Sequence, residues 1–192
     1  MDKNSMVIMQ GFSCCIDEGS PVKILDIGSC DIDGCYKELF NKPKWSYTGV
    51  DFKAGKNVDI VVDKNYEWNN IETESVDILV SGNYLSETPA PWKAAKSIER
   101  IIKPGGIVFV TIPWMKIEYV YPADCYRILP DGLVYLFTKE VVFEKWICGL
   151  KDNDSFFCGQ KPGATCSFAA KSKLTSFFTD LLHKGENLRL NF

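Results

Sequence analysis

Histidine and metal-type cysteine spacing are what this sequence has least of. A single histidine, His183, stands among 192 residues, and the eight cysteines, Cys14, Cys15, Cys30, Cys35, Cys125, Cys148, Cys158 and Cys166, include no C-x2-C pair. The usual zinc ligand sets are excluded, and no metal is expected. No segment approaches the roughly 18 consecutive apolar residues of a membrane span. Residues 1–15 lack the charged, apolar and small-residue regions of a secretion signal. The chain therefore reads as cytoplasmic, with no membrane span and with reduced thiols. Excess positive charge is also missing: 22 Lys and Arg against 25 Asp and Glu leave a formal charge of -3. That balance argues against nucleic acid as a partner, because such binding rests on clustered Lys and Arg. The small group Lys42, Lys44, Lys53 and Lys56 reads as a solvated face.

What is present is a globular composition, 46% hydrophobic and 24% charged, in a length that suits one domain over residues 1–192. Val22-Lys23-Ile24-Leu25-Asp26-Ile27 enters from Gly19-Ser20-Pro21 and leaves through Gly28, the pattern of a buried strand. Further short apolar runs lie at 45–50, 58–62, 76–80 and 107–112. Before the last of these, Pro89 and Pro91 supply helix-start chemistry. Trp92, Ala95, Ile98 and Ile101 then recur at helical spacing until Pro104-Gly105-Gly106 stops the pattern. Residues 141–149 and 165–171 read as an antiparallel hairpin around a polar loop at 151–163, and residues 172–182 as a closing helix with Ser172 as its cap. The expected fold is α/β: a Rossmann-like, doubly wound, mostly parallel seven-stranded sheet with a C-terminal antiparallel hairpin.

The sharpest local signal is Leu25-Asp26-Ile27-Gly28-Ser29-Cys30-Asp31-Ile32-Asp33-Gly34, a strand breaking into a glycine turn ahead of a short helix at 36–40. Such a turn admits a ligand close to the backbone, beside free N–H groups of a helix start. The second strand ends Gly49-Val50-Asp51, which places a carboxylate at the separation of a ribose-binding acid. These two features suit nicotinamide dinucleotides and S-adenosylmethionine equally.

Four blocks together discriminate. They are Leu25-Asp26-Ile27-Gly28-Ser29 with Gly34, Gly49-Val50-Asp51, Val76-Asp77-Ile78-Leu79-Val80-Ser81, and Ile98-Glu99-Arg100-Ile101-Ile102-Lys103-Pro104-Gly105-Gly106 before the strand ending at Pro113. With them, residues 22–132 resemble a class I S-adenosylmethionine-dependent methyltransferase of the small type found among sugar and polysaccharide biosynthesis enzymes. The resemblance implies S-adenosylmethionine as cofactor. It places the amino-acid part at Gly28, Ser29 and Cys30, the ribose at Asp51 and adenine near Asp63, with Ser81 beside the methionine arm. Asp26, ranked above Asp31, is a candidate partner of the cofactor's positive charge, and Tyr66 and Trp68 are either adenine platforms or core packing.

Two departures stand out. Cys30 occupies the position of the family's second loop glycine, and Ser86-Glu87 replaces the Glu-His of the nearest type, removing a histidine base. After the fifth strand, Pro122-Ala123-Asp124-Cys125-Tyr126-Arg127 also recurs in those relatives. Tyr119, Tyr121 and Arg127 are candidate contacts to a small-molecule or glycan acceptor, and Glu87 or Asp124 a candidate base, although Asp124 and Arg127 can equally pair with each other. The reaction read from this is in-line methyl transfer to a hydroxyl or amine, with rate gained from positioning. The rivals are a cofactor-binding protein without transfer and, less favoured, an NAD-dependent oxidoreductase, which the incomplete G-x-G-x-x-G opposes.

Overall fold

A parallel strand covered on both sides must be apolar along its length, and β1 (Val22–Ile27) is buried everywhere except at Lys23. It pairs in parallel with β2 (Trp45–Asp51) on one side and β4 (Val76–Gly82) on the other. The two-residue β3 (Ile60–Val61) extends the sheet beyond β2, and β5 (Ile102–Pro113) extends it beyond β4. An antiparallel hairpin of β6 (Glu144–Lys151) and β7 (Asp154–Gln160) attaches through β7 to β5, and β8 (Leu188–Asn191) closes the far edge against β6. The resulting order is β3-β2-β1-β4-β5-β7-β6-β8. Strand order reverses between β1 and β4, which opens a crevice beyond their carboxyl ends. This computed structural model describes residues 3–32, 34–63, 66–117, 123–163, 173–174, 176–177, 180 and 188–191.

Each face of the sheet carries its own core. On one, Leu25, Ile27, Val50, Leu79, Val108 and Val110 pack beneath α3 (Pro91–Ile101) and α4 (Pro130–Tyr135). Proline at its first position starts α3, and Ala94, Ala95, Ile98 and Ile101 form its buried stripe. On the other face, Ile24, Ile78, Val80, Phe109 and Phe156 pack against α1 (Lys3–Ser13) and a 3-10 turn, Lys37–Phe40. Phe12 of α1 stacks on Phe109 of β5 with ring centroids 4.4 Å apart. The short α2 (Tyr84–Glu87) caps the end of β4. Among the described residues no helix is long and apolar enough to cross a membrane.

The α/β class and mostly parallel sheet agree with expectation, but four details differ. Among the described residues the sheet has eight strands rather than seven, because residues 188–191 add an edge. The hairpin's second strand is Asp154–Gln160, inside the segment read as a loop, while residues 165–171 lie outside the described residues. Asp154 to Gly159 are buried, so this strand, covered on both faces, shows neither alternation nor a long aliphatic run. The helix expected at 36–40 is one 3-10 turn. Lys103-Pro104-Gly105-Gly106 also does not sit in a loop. β5 already begins at Ile102, opposite Val76, and the irregular register before Ile78 absorbs the Pro-Gly-Gly.

Candidate functional site

The crevice is built around the turn after β1. Gly28 has φ 82, a left-handed backbone that a side chain disfavours, and a Cβ there would stand 3.0 Å from the Tyr84 Cβ. In this conformation the N–H groups of Gly28 and Ser29 both donate to Val50 O, at 2.9 and 3.1 Å. The next amide, Cys30 N, donates to Asp51 Oδ2 at 3.2 Å, and Lys53 N donates to Asp51 Oδ1 at 3.2 Å. Cys30 is not among the residues with positive φ, so its backbone does not require the glycine of the family pattern. Burial and the neighbouring Asp51 push its thiol pKa up, away from the reactive thiolate. Burial also raises the Asp51 carboxyl pKa, while the backbone N–H groups that it accepts oppose the rise.

Asp26, one step before the strand ends, is 1% exposed. Its Oδ2 accepts a 2.6 Å hydrogen bond from Tyr47 Oη, and its Oδ1 is buried with no hydrogen-bond partner. Desolvation pushes this carboxyl up to about 7, with Asp51 adding to the rise and Tyr47 opposing it. Asn57, between β2 and β3, donates from Nδ2 to Tyr47 Oη and to Ser29 O, each at 3.0 Å. It receives in return a 2.9 Å bond from Ser29 Oγ to its main-chain oxygen.

The opposite wall comes from the ends of β4 and β5. Ser81 Oγ donates to Ile27 O at 2.9 Å, tying β4 to the glycine turn. Asn83, at φ 67, starts α2, and its carbonyl accepts Ser86 N at 3.0 Å and Ser86 Oγ at 2.6 Å. Ser86 O then accepts the amides of Cys125 and Tyr126, at 2.8 and 3.0 Å, and Tyr126 Oη donates to Pro89 O at 3.1 Å. These bonds hold the segment after β5 on α2 and bring Glu87, Asp124 and Arg127 to one rim. Arg127 grips Asp124 with both terminal nitrogens, Nη2 at 2.6 Å, and also donates to Tyr126 O and Lys116 O.

Among the residues singled out from the sequence, Asp26, Gly28, Ser29, Cys30, Asp51 and Ser81 all bond around the turn after β1: Asp26 through Tyr47 and Asn57 to Ser29, Gly28 and Ser29 to Val50, Cys30 to Asp51, and Ser81 to Ile27. Asp63 stands apart, exposed just past β3, and Asp31 is salt-bridged to Lys56 at 2.6 Å. Trp68 is fully buried, tilted against Tyr84 with centroids 6.2 Å apart, and belongs to the core; Tyr66 is half-buried beside it. Tyr119 and Tyr121 lie outside the described residues. Sequence reasoning missed Tyr47 and Asn57, whose roles depend on the parallel register that sets Asp26 opposite Gly49. It also missed a buried hydroxyl group of Ser5, Tyr36 and Thr111 beside Gly82.

Comparison with known proteins agrees with this geometry. Residues 25–110 match the model of a methyltransferase domain. The structure resembles that of the CurJ carbon methyltransferase, with TM-score 0.63 and 12% identity over 83% of this chain and 54% of that one. It also resembles phosphoethanolamine N-methyltransferase 2 of Haemonchus contortus in complex with S-adenosyl-L-methionine, with TM-score 0.62 and 14% identity over 83% of this chain and 53% of that one. The [4+2]-cyclase SpnF is comparably similar, with TM-score 0.62 and 15% identity over 82% of this chain and 81% of that one. No curated protein sequence matches the chain. The sheet order and the crevice at its switch point define a Rossmann-like fold. Residues 25–110 are thus similar to a methyltransferase domain, and the fold is shared with solved methyltransferases, one of them in complex with S-adenosyl-L-methionine; the chain spans about half the length of the first of these.

Proposed function

We propose that the chain, as one domain, transfers a methyl group to a hydroxyl or amine of a small-molecule or sugar acceptor, and that the crevice around Gly28 holds the cofactor. The observation that carries this reading is the pair of buried carboxylates at the strand ends. A buried carboxylate oxygen without a partner is costly in water's absence, and the unpartnered Oδ1 of Asp26 fits a cationic group. The ammonium of the amino-acid arm is such a group. Asp51 holds the turn through Cys30 N and keeps lone pairs for a ribose diol. Ser81 fixes the β4 wall, and Asp63 is assigned to the adenine end. When bound, S-adenosylmethionine supplies the methyl group and its own leaving group. The chain's contribution is to orient the reactants and exclude water.

Glu87 is the better candidate base. Asp124 is gripped on both oxygens by Arg127, which occupies lone pairs that a base needs. Arg127 in turn presents a partly buried cationic surface at the rim, where Tyr119 and Tyr121 remain candidate acceptor contacts by sequence. The cytoplasmic setting read from the sequence remains part of the proposal, and the described cysteines carry no disulfide. A cofactor-binding protein without methyl transfer is the second reading, supported by the absence of a histidine beside Glu87 and by the likeness to a protein described as a [4+2]-cyclase. An acceptor screen with nucleotide sugars, glycans and amines, reading S-adenosylhomocysteine release, separates the two. Methyl transfer is expected with at least one acceptor, slowed about 10²-fold or more in Glu87→Gln. Tight cofactor binding without turnover on any acceptor supports the second reading.

A further inference from the structure

Four hydrogen bonds between the ends of β1 and β2, the β2–β3 loop and the glycine turn link Asp26, Tyr47, Asn57 and Ser29 in one network. Tyr47 donates to Asp26 Oδ2 at 2.6 Å while accepting from Asn57 Nδ2 at 3.0 Å. Asn57 meanwhile exchanges bonds in both directions with Ser29, the residue after the turn glycine. The approach is close enough to require glycine at position 49, where a Cβ would fall 2.0 Å from Asn57 O and 2.7 Å from Ser29 Oγ. Asn57 itself is held at φ 67, a left-handed backbone that asparagine tolerates better than most residues. Two acceptors in this network, Asp26 Oδ1 and Asn57 Oδ1, are buried without a partner.

We infer that Tyr47 and Asn57 are positioning residues for the cofactor's amino-acid arm: together they orient the Asp26 carboxylate so that Oδ1 faces a cationic ligand, and they tie that orientation to the shape of the Gly28–Ser29 turn. The inference rests on the cofactor reading above and extends it to two residues that the glycine motif does not include. Its physical basis is selective engagement of one oxygen. A carboxylate with both oxygens open can rotate and hydrate, whereas one with Oδ2 pinned presents Oδ1 in a fixed direction. Tyr47 also favours the charged form, since its hydroxyl donates to the carboxylate. Among the described residues the ionisable groups around the pair are Tyr47 and Asp51 of β2, Tyr36 ahead of the 3-10 turn, and Cys35 beside Tyr47. All are acidic or neutral, so a ligand cation would be the first positive charge to meet Asp26 among them.

The test compares S-adenosylhomocysteine, which carries the ammonium, with 5'-methylthioadenosine, which lacks the whole amino-acid arm, on wild type, Tyr47→Phe and Asn57→Ala. Titration calorimetry across pH 6 to 9 is the readout. Tyr47→Phe is expected to weaken S-adenosylhomocysteine about tenfold or more and to leave methylthioadenosine within about twofold. It should also move the pH midpoint of S-adenosylhomocysteine binding upward, because the bond that favours the charged carboxylate has gone. Asn57→Ala should weaken the same ligand by a smaller factor in the same selective way. Equal weakening of both ligands in both variants, or no change in either ligand, overturns the inference. Failure of wild type to bind either compound overturns the cofactor reading itself, which is a separate and distinguishable result.

Discussion

Asp26 is the residue at which the fold accepts a cost for its site. In the unfolded chain its carboxyl titrates near 3.8, and in the fold burial lifts it to about 7. Between those values the folded state holds the proton more tightly than the unfolded state. This group's contribution therefore falls as pH rises from about 4 to about 7, and levels off above. Each tenfold change in proton affinity is worth about 1.4 kcal/mol, so the whole effect is at most about 4 kcal/mol. Thermal unfolding of wild type and Asp26→Asn at pH 5 and pH 8 should show the variant gaining relative stability at the higher pH. A constant difference between the two proteins would mean that Asp26 is not titrating in the fold. Asp26, Gly28 and Asp51 were legible because strand, turn and acid follow at short, ordered spacings. Tyr47 and Asn57 were not, because their partners lie 21, 28 and 10 residues away and meet only through the β1–β2 register.

α3 shows how a single element supports the site from behind. Its Arg100 donates to the carbonyls of Glu67, Trp68 and Ile71 and to Thr73 Oγ1, at 2.9 to 3.1 Å, and so pins the loop that carries Tyr66 and Trp68. Arg100→Ala should destabilise the protein by roughly 1 to 3 kcal/mol, with hydrogen exchange accelerating first in residues 66–74. Unchanged exchange there would show that the loop is held by Trp68 packing alone. α3 itself was readable from its prolines and its buried stripe. β7 was not: Asp154, Ser155, Cys158, Gly159 and Gln160 look like loop residues. Yet the strand is buried along most of its length, a placement set by pairing with β5 and β6 rather than by its own composition. α1 escaped notice for a related reason. Its first turn has no acidic residue and its last no basic one, and its helical state rests on packing Ile8, Met9 and Phe12 on the sheet.

For the whole molecule, the eight-stranded sheet explains why the crevice lies where it does, and also why fold alone does not name an acceptor. A ligand that binds only the folded state must stabilise it. S-adenosylmethionine at about 100 times its Kd should add about 2.7 kcal/mol and raise the melting temperature, while NAD should not. Calorimetric titration of wild type and Asp51→Asn with S-adenosylmethionine, S-adenosylhomocysteine and NAD tests the central claim most directly. Asparagine keeps the shape of the group that holds Cys30 N but removes the charge and, in the proposed site, an acceptor for ribose. Binding of both adenosyl ligands and not of NAD, weakened at least tenfold in Asp51→Asn, is the predicted result. Binding of NAD alone, or adenosyl binding indifferent to Asp51, would contradict the account.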